Sequence, residues 1–204
     1  MTALLRYQAA LLIRSHRWLG PLLLYGAFLV IGVRSGEPVL DSLGVAAAAL
    51  VPAAAWLTRV CVTNEPSSAR DCAAAAAGPA RAHLAAVLTA LLASAALGTA
   101  VLPAASAGLV AALACALIGV AVGALCNRPL LRSTAWAVPS TVLAVFLVVF
   151  AGGSPAKAAV NGLVTGSLSG TVEVPLLPLA GAAVLAAGAT AVACAASARR
   201  GAER

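Results

Sequence analysis

The sequence predicts an all-α integral membrane protein with six transmembrane helices, an N-terminal interfacial amphipathic helix and both termini in the cytoplasm. Three observations predict it. Of 204 residues, 62% are hydrophobic and only 9% are charged, and the mean hydropathy is +1.02. Soluble domains carry about 25% charged and about 45–50% apolar residues, so too few charges remain here to cover a water-facing surface. Six apolar runs approach the roughly 20 residues that a spanning helix needs. The basic residues fall in the gaps between those runs, and their abundance alternates from gap to gap. An ordinary soluble enzyme, a disordered tail and a disulfide-rich secreted module are excluded.

Residues 1–17 form the first element. At 100° per residue Arg6, Arg14 and Arg17 share one arc, and Leu4, Leu5, Leu11 and Leu12 lie opposite. This pattern suits a helix lying in the membrane interface, anchored by Arg6, Arg14, Arg17 and Trp18, with Tyr7 and His16 at headgroup level. Gly20-Pro21 offers the bend into the first span; the alternative is a plain extension of that span. No small-residue cleavage site cleanly follows the first apolar run, so the N-terminus is expected to be retained.

Residues 18–204 form the transmembrane domain, with spans at Trp18–Val33, Ser42–Val60, Ala82–Leu102, Ser106–Cys126, Ser133–Ala151 and Val174–Ala198. Strands are excluded because open strand edges cannot be satisfied in lipid, and the runs are too long and too uniformly apolar for alternating barrel strands. With six spans, eleven of the 13 basic residues fall on one side and two, Arg34 and Lys157, on the other. The positive-inside rule then places both termini in the cytoplasm. Net charge +7 is therefore read as membrane orientation and not as a nucleic-acid surface.

Between the second and third spans the chain runs Ser68-Ala69-Arg70-Asp71-Cys72, then five alanines, then Gly78-Pro79. Ser68 with Asp71 three residues on matches a capping box, the alanines have the highest helix propensity, and Gly78-Pro79 closes the segment. A short cytoplasmic helix over 68–77 follows, small enough in its side chains for another surface to approach closely; the alternative is a surface helix with no partner. Asn127–Arg132 makes a short hairpin. The longest external segment, Gly152–Thr171, carries Gly162, Gly166 and Gly170 at four-residue spacing. It reads either as short helices with a smooth glycine stripe dipping into the outer leaflet or as a flexible loop. Gly119 and Gly123 form a GxxxG, a pattern that chance alone produces often in so Gly- and Ala-rich a chain.

Chemistry-bearing patterns are missing. No charged residue sits in the middle of a span, whereas ion-coupled pumps need one. Neither GxxxxGK[ST], HExxH nor GxSxG occurs. His83 reads as an interfacial residue, and the five cysteines, with no CxxC among them, as small unpaired thiols. No catalytic, cofactor-binding or metal-ligating residue is assigned. A six-span protein without its own energy source is passive, structural, or one part of a machine powered elsewhere. The punctuated cytoplasmic helix favours the last, as a rigid lever for a motor.

The interfacial helix over Ala3–Arg17, the six spans with both ends inside, the cytoplasmic helix over Ser68–Ala77 and the longer external segment before the last span together resemble the membrane subunit of bacterial ABC exporters of the ABC-2 type. The stretch Arg6–Ser15 resembles actinobacterial members. The resemblance covers nearly the whole chain and rests on topology, since the family has no catalytic signature. It implies a plasma-membrane permease that pairs with a second copy or a related permease and binds two ATPase subunits, ATP being held by those partners. It makes the 68–77 segment the coupling helix, with Ser68, Arg70, Asp71 and Ala74 as contacts to the ATPase. The lack of a sizeable external domain points to a small hydrophobic molecule, drug or peptide as cargo. The rival readings are a non-transporting scaffold or regulatory subunit and a lipid-active enzyme.

Overall fold

A computed structural model describes residues 1–33, 39–101, 106–131, 133–150, 153–169 and 174–202. Among them the chain forms nine helices and no strand: α1 Thr2–Arg14, α2 Leu19–Gly32, α3 Val39–Thr63, α4 Ser67–Ala77, α5 Pro79–Val101, α6 Ser106–Leu125, α7 Thr134–Phe150, α8 Pro155–Ser169 and α9 Leu176–Ala202. Four windows are long and apolar enough to cross a membrane: Asp41–Thr63, Pro79–Val101, Ser106–Leu125 and Leu176–Arg199. Outward-facing side chains such as Val30, Leu177 and Val184 stay exposed, as lipid contact requires. The chain is a membrane protein built of helices.

The two remaining expected spans are shorter. The 14 residues of α2 reach roughly 21 Å, against an about 30 Å hydrocarbon core. The 17-residue α7 meets the same length and composition only when joined to α8, from which it is bent by 41°. Within the segment before the last long helix, Pro155–Ser169 form one helix, α8. Its inward stripe is Ala156, Ala159, Leu163 and Gly166, whereas Gly162 is exposed with open space where a Cβ would stand. The expected glycine stripe is covered at Gly166 and uncovered at Gly162, and Gly170 lies outside the described residues.

The core is the pair α3–α6. Of the spanning windows, 72% is buried for α3 and for α6, against 39% for α5 and 22% for α9. The contact works because both helices are made of small residues. A Cβ on Gly119 would stand 2.5 Å from the Val51 carbonyl oxygen, and one on Gly123 would stand 2.6 Å from Thr58 Cβ. The GxxxG that composition made uninformative is where the backbone of α6 lies against the backbone of α3. Around the pair, α5 and α9 close one side, with Ala182, Ala186, Ala189 and Ala193 of α9 turned inward. Helices α2 and α7 pack on α3 from the other side and, among the described residues, do not pack on each other.

Two local expectations are corrected. The chain turns between α1 and α2 at His16, which holds φ +54° in the left-handed region, not at Gly20-Pro21. Pro21 sits in the first turn of α2, where its missing N–H costs nothing. Gly20 is needed for a different reason: the Trp56 ring lies 3.2 Å from where its Cβ would be. The leucine face of α1 meets protein, with Leu12 buried against Val60, Cys61 and Trp18.

Candidate functional site

The C-terminal ends of α3, α6 and α9 and the N-terminal end of α5 come together at one end of the bundle, together with α1 and α4. Cys194 Sγ reaches the Ala80 carbonyl at 3.6 Å, Arg59 reaches Asn127 at 3.5 Å, and Asn64 reaches the Leu11 carbonyl at 3.1 Å. This end carries Arg6, Arg14, Arg17, Arg59, Arg70, Arg81, Arg128 and Arg199. It is the polar end of an otherwise apolar body.

The link from α3 to α4 is only Asn64–Pro66. Glu65 turns inward and is 7% exposed. Its Oε2 accepts from Gln8 Nε2 of α1 at 3.2 Å, and its backbone carbonyl accepts from the Arg70 guanidinium at 2.7 Å. One residue therefore ties α1, α3 and α4 together. Tyr7 of α1 titrates above its ordinary range, first from partial burial and then from the Glu65 negative charge beside it. Arg6 and Arg14 lie on the exposed face of α1, and Arg17 is exposed in the turn that follows. Trp18 is half-buried, with its indole N–H enclosed.

Helix α4 starts one residue before the sequence places it. Its N-cap is Pro66, extended at ψ 149°, with no side-chain cap. The expected Ser68–Asp71 capping box does not form, because the fixed φ of Pro66 already sets the entry angle and leaves Ser68 inside the first turn. Gly78 ends the helix at φ +88°, a backbone that L side chains rarely adopt, and Pro79 begins α5.

Among the described residues α4 packs on α5 alone, and none of its residues is buried. Its two faces differ. Ser68, Asp71, Cys72, Ala75 and Ala76 are exposed on one stripe, whereas Ala69, Arg70, Ala73, Ala74 and Ala77 are half-buried. The four residues singled out for partner contact therefore divide: Ser68 and Asp71 face outward, and Arg70 and Ala74 hold α4 in place.

Between α4, α5, the end of α9 and Arg128-Pro129 lies a groove of about 1110 Å³, lined by Glu65, Arg70, Asp71, His83, Arg128 and Ser197 among others. His83 is the residue that the sequence reads as interfacial. It is half-buried in this groove, and its Nε2 is enclosed without a hydrogen-bond partner.

Asn127, which the sequence reading passed over, organises the floor of this end and is 2% exposed. Its Nδ2 donates to the Gly123 carbonyl at 2.8 Å, satisfying an orphan acceptor at the end of α6. Its Oδ1 accepts from Arg59, and its own carbonyl accepts from Leu130 and Leu131 N–H. An Asn directly after an apolar run was the available signal. The five thiols are unpaired, and only Cys72 is fully exposed. Among the described residues no three His, Cys, Asp or Glu side chains gather as metal ligands.

Comparison with protein families, with curated proteins and with solved structures finds no match to this chain.

Proposed function

We propose that this chain is the membrane subunit of an ABC-2 type ABC exporter in the plasma membrane. Six spans, α2, α3, α5, α6, α7 and α9, cross the bilayer, with both termini and the polar end in the cytoplasm. The carrying observation is α4, a freestanding helix of 11 residues, held at the polar end on α5 and presenting a smooth exposed stripe. A helix with no buried residue adds little to the core and is suited to being gripped from outside. One of the two ATPase subunits grips it on Ser68, Asp71, Ala75 and Ala76, and Arg70, bonded to the Glu65 carbonyl, passes the push to α3 and α1. The permease works with a second copy or a related permease and moves a small hydrophobic molecule, drug or peptide.

The test is purification of the tagged chain from its native membrane in gentle detergent, with identification of what accompanies it. A soluble ATPase with a phosphate-binding loop is expected, and Ala75→Trp is expected to release it. The chain recovered alone after crosslinking supports the scaffold reading instead. Within the complex, Asp71→Lys and Ala74→Pro are expected to leave membrane insertion intact and to uncouple ATP hydrolysis from export. The proline breaks the helix at about 3 kcal/mol; transport at the original rate in both variants removes α4 from the mechanism.

A further inference from the structure

The flank formed by α2, α3 and α7 contains a second hollow that the exporter reading does not use. Because α2 and α7 touch α3 but not each other, a gap of about 770 Å³ opens between them. Small residues of α3, Ala48 and Pro52, make its floor, and Phe28 of α2 and Phe146 of α7 stand on its two rims. Along α3 it extends from Val45 to Arg59, roughly 21 Å at the helical rise. Its shape is that of a slot for an extended chain, and its walls are almost wholly apolar.

One charge interrupts this lining. Arg59 closes the slot at the polar end, one turn before α3 stops at Thr63. Its guanidinium gives one N–H to Asn127 Oδ1 across 3.5 Å, and among the described residues no carboxylate pairs with it. A guanidinium has five donors, so most of its fork is left for another acceptor. Trp56, 42% exposed and one turn deeper, lines the same slot. An indole beside an arginine marks the depth where lipid headgroups meet hydrocarbon.

We propose that this slot holds one acyl chain of an anionic membrane phospholipid, with its phosphate on Arg59. The apolar slot selects an alkyl chain, the arginine selects a phosphate that it can meet with two parallel N–H bonds, and the bilayer supplies both in one molecule. The inference needs the chain to sit in a membrane and is independent of any ATPase.

Purified protein, stripped of lipid by detergent exchange, is offered equal amounts of phosphatidylglycerol and phosphatidylcholine of the same acyl composition. Bound lipid is then counted by native mass spectrometry. One phosphatidylglycerol per chain is expected, preferred by about tenfold, because phosphatidylcholine brings the same phosphate but sets its choline cation against the Arg59 guanidinium. Arg59→Gln is expected to abolish the preference. Ala48→Phe, which fills the slot and leaves the charge, is expected to abolish retention, and Arg81→Gln, an exposed charge at the start of α5 outside the slot, to change neither. Equal retention of the two lipids by the unmodified protein overturns the proposal, and that comparison needs no variant to fold. So does a preference that survives Arg59→Gln, or one that Arg81→Gln reduces equally, which reports diffuse charge. Occupation of the slot by a neutral apolar compound or by a second copy of the chain in place of lipid overturns it as well.

Discussion

Where α3 meets α6, backbone approaches backbone. Val51, Ala54, Ala55 and Thr58 lie against Gly119 and Gly123, and Thr58 turns its hydroxyl onto its own helix, at 2.8 Å from the Ala54 carbonyl. Where the same helix meets α2 and α7, close approach is confined to the two ends of α2, Gly20 against Trp56 and Gly32 against Val45, and between them lies a slot of about 770 Å³ lined by Phe28, Val142 and Phe146. Lipid gives apolar side chains no reason to leave it, so helix association in a bilayer depends on close van der Waals approach, which small residues allow. The first contact uses that route and is rigid. The second uses it only at the ends of α2 and leaves room for a lipid between them. One helix, α3, serves both, with small residues toward each and with Trp56 and Arg59 added on the slot side.

The same chemical change should therefore have opposite outcomes on the two sides. The largest effect is expected for Gly119→Leu. Even the first carbon of the new side chain meets the Val51 backbone oxygen, which cannot move aside as a side-chain end can. Overpacking of this kind costs about 1–3 kcal/mol and occasionally more, and loss of monodisperse protein on size exclusion is the expected readout. Asn127→Ala should come next. It leaves the Gly123 carbonyl without its side-chain donor and Arg59 without its acceptor, at about 1–3 kcal/mol, seen as a lower melting temperature in detergent. Glu65→Ala should cost less overall but act locally, freeing Gln8 and exposing α1 to protease before the bundle opens. The smallest effects belong to the α2–α7 flank. Gly26→Ala meets nothing within 4 Å and should be neutral or stabilising by up to about 1 kcal/mol. A melting temperature that falls as far for Gly26→Ala as for Gly119→Leu would erase the distinction between the two contacts.

Much of the helical layout is legible in the sequence, because apolar runs, Gly78-Pro79 and the alanine run report locally. Helix α4 differs from its expected bounds by one residue. What stays hidden depends on what comes opposite. Gly119 and Gly123 match a pattern that chance supplies freely in this composition, and only the facing Val51 and Thr58 give it meaning. Gly20 looks like a bend and is a seat for Trp56, while the bend falls on His16, where the only turn signal is the weak one of Ser15, whose hydroxyl accepts from Arg17 N–H. Ser68 and Asp71 have the spacing of a capping box, but Pro66 had already fixed the helix start. At the polar end, Arg59 reads from sequence as an orientation charge; its position at the mouth of a slot needs α2 and α7 in place. Asn127 is a single polar residue whose three kinds of bond are all made within the folded chain.

In the proposed exporter α4 is the handle of a motor, and its outer stripe carries the native thiol Cys72. A photo-crosslinker attached to Cys72 in native membranes should give one discrete adduct, to a nucleotide-binding protein, with a yield that changes when ATP is added. Illumination that yields no adduct, or an adduct to a protein that binds no nucleotide, would contradict the account.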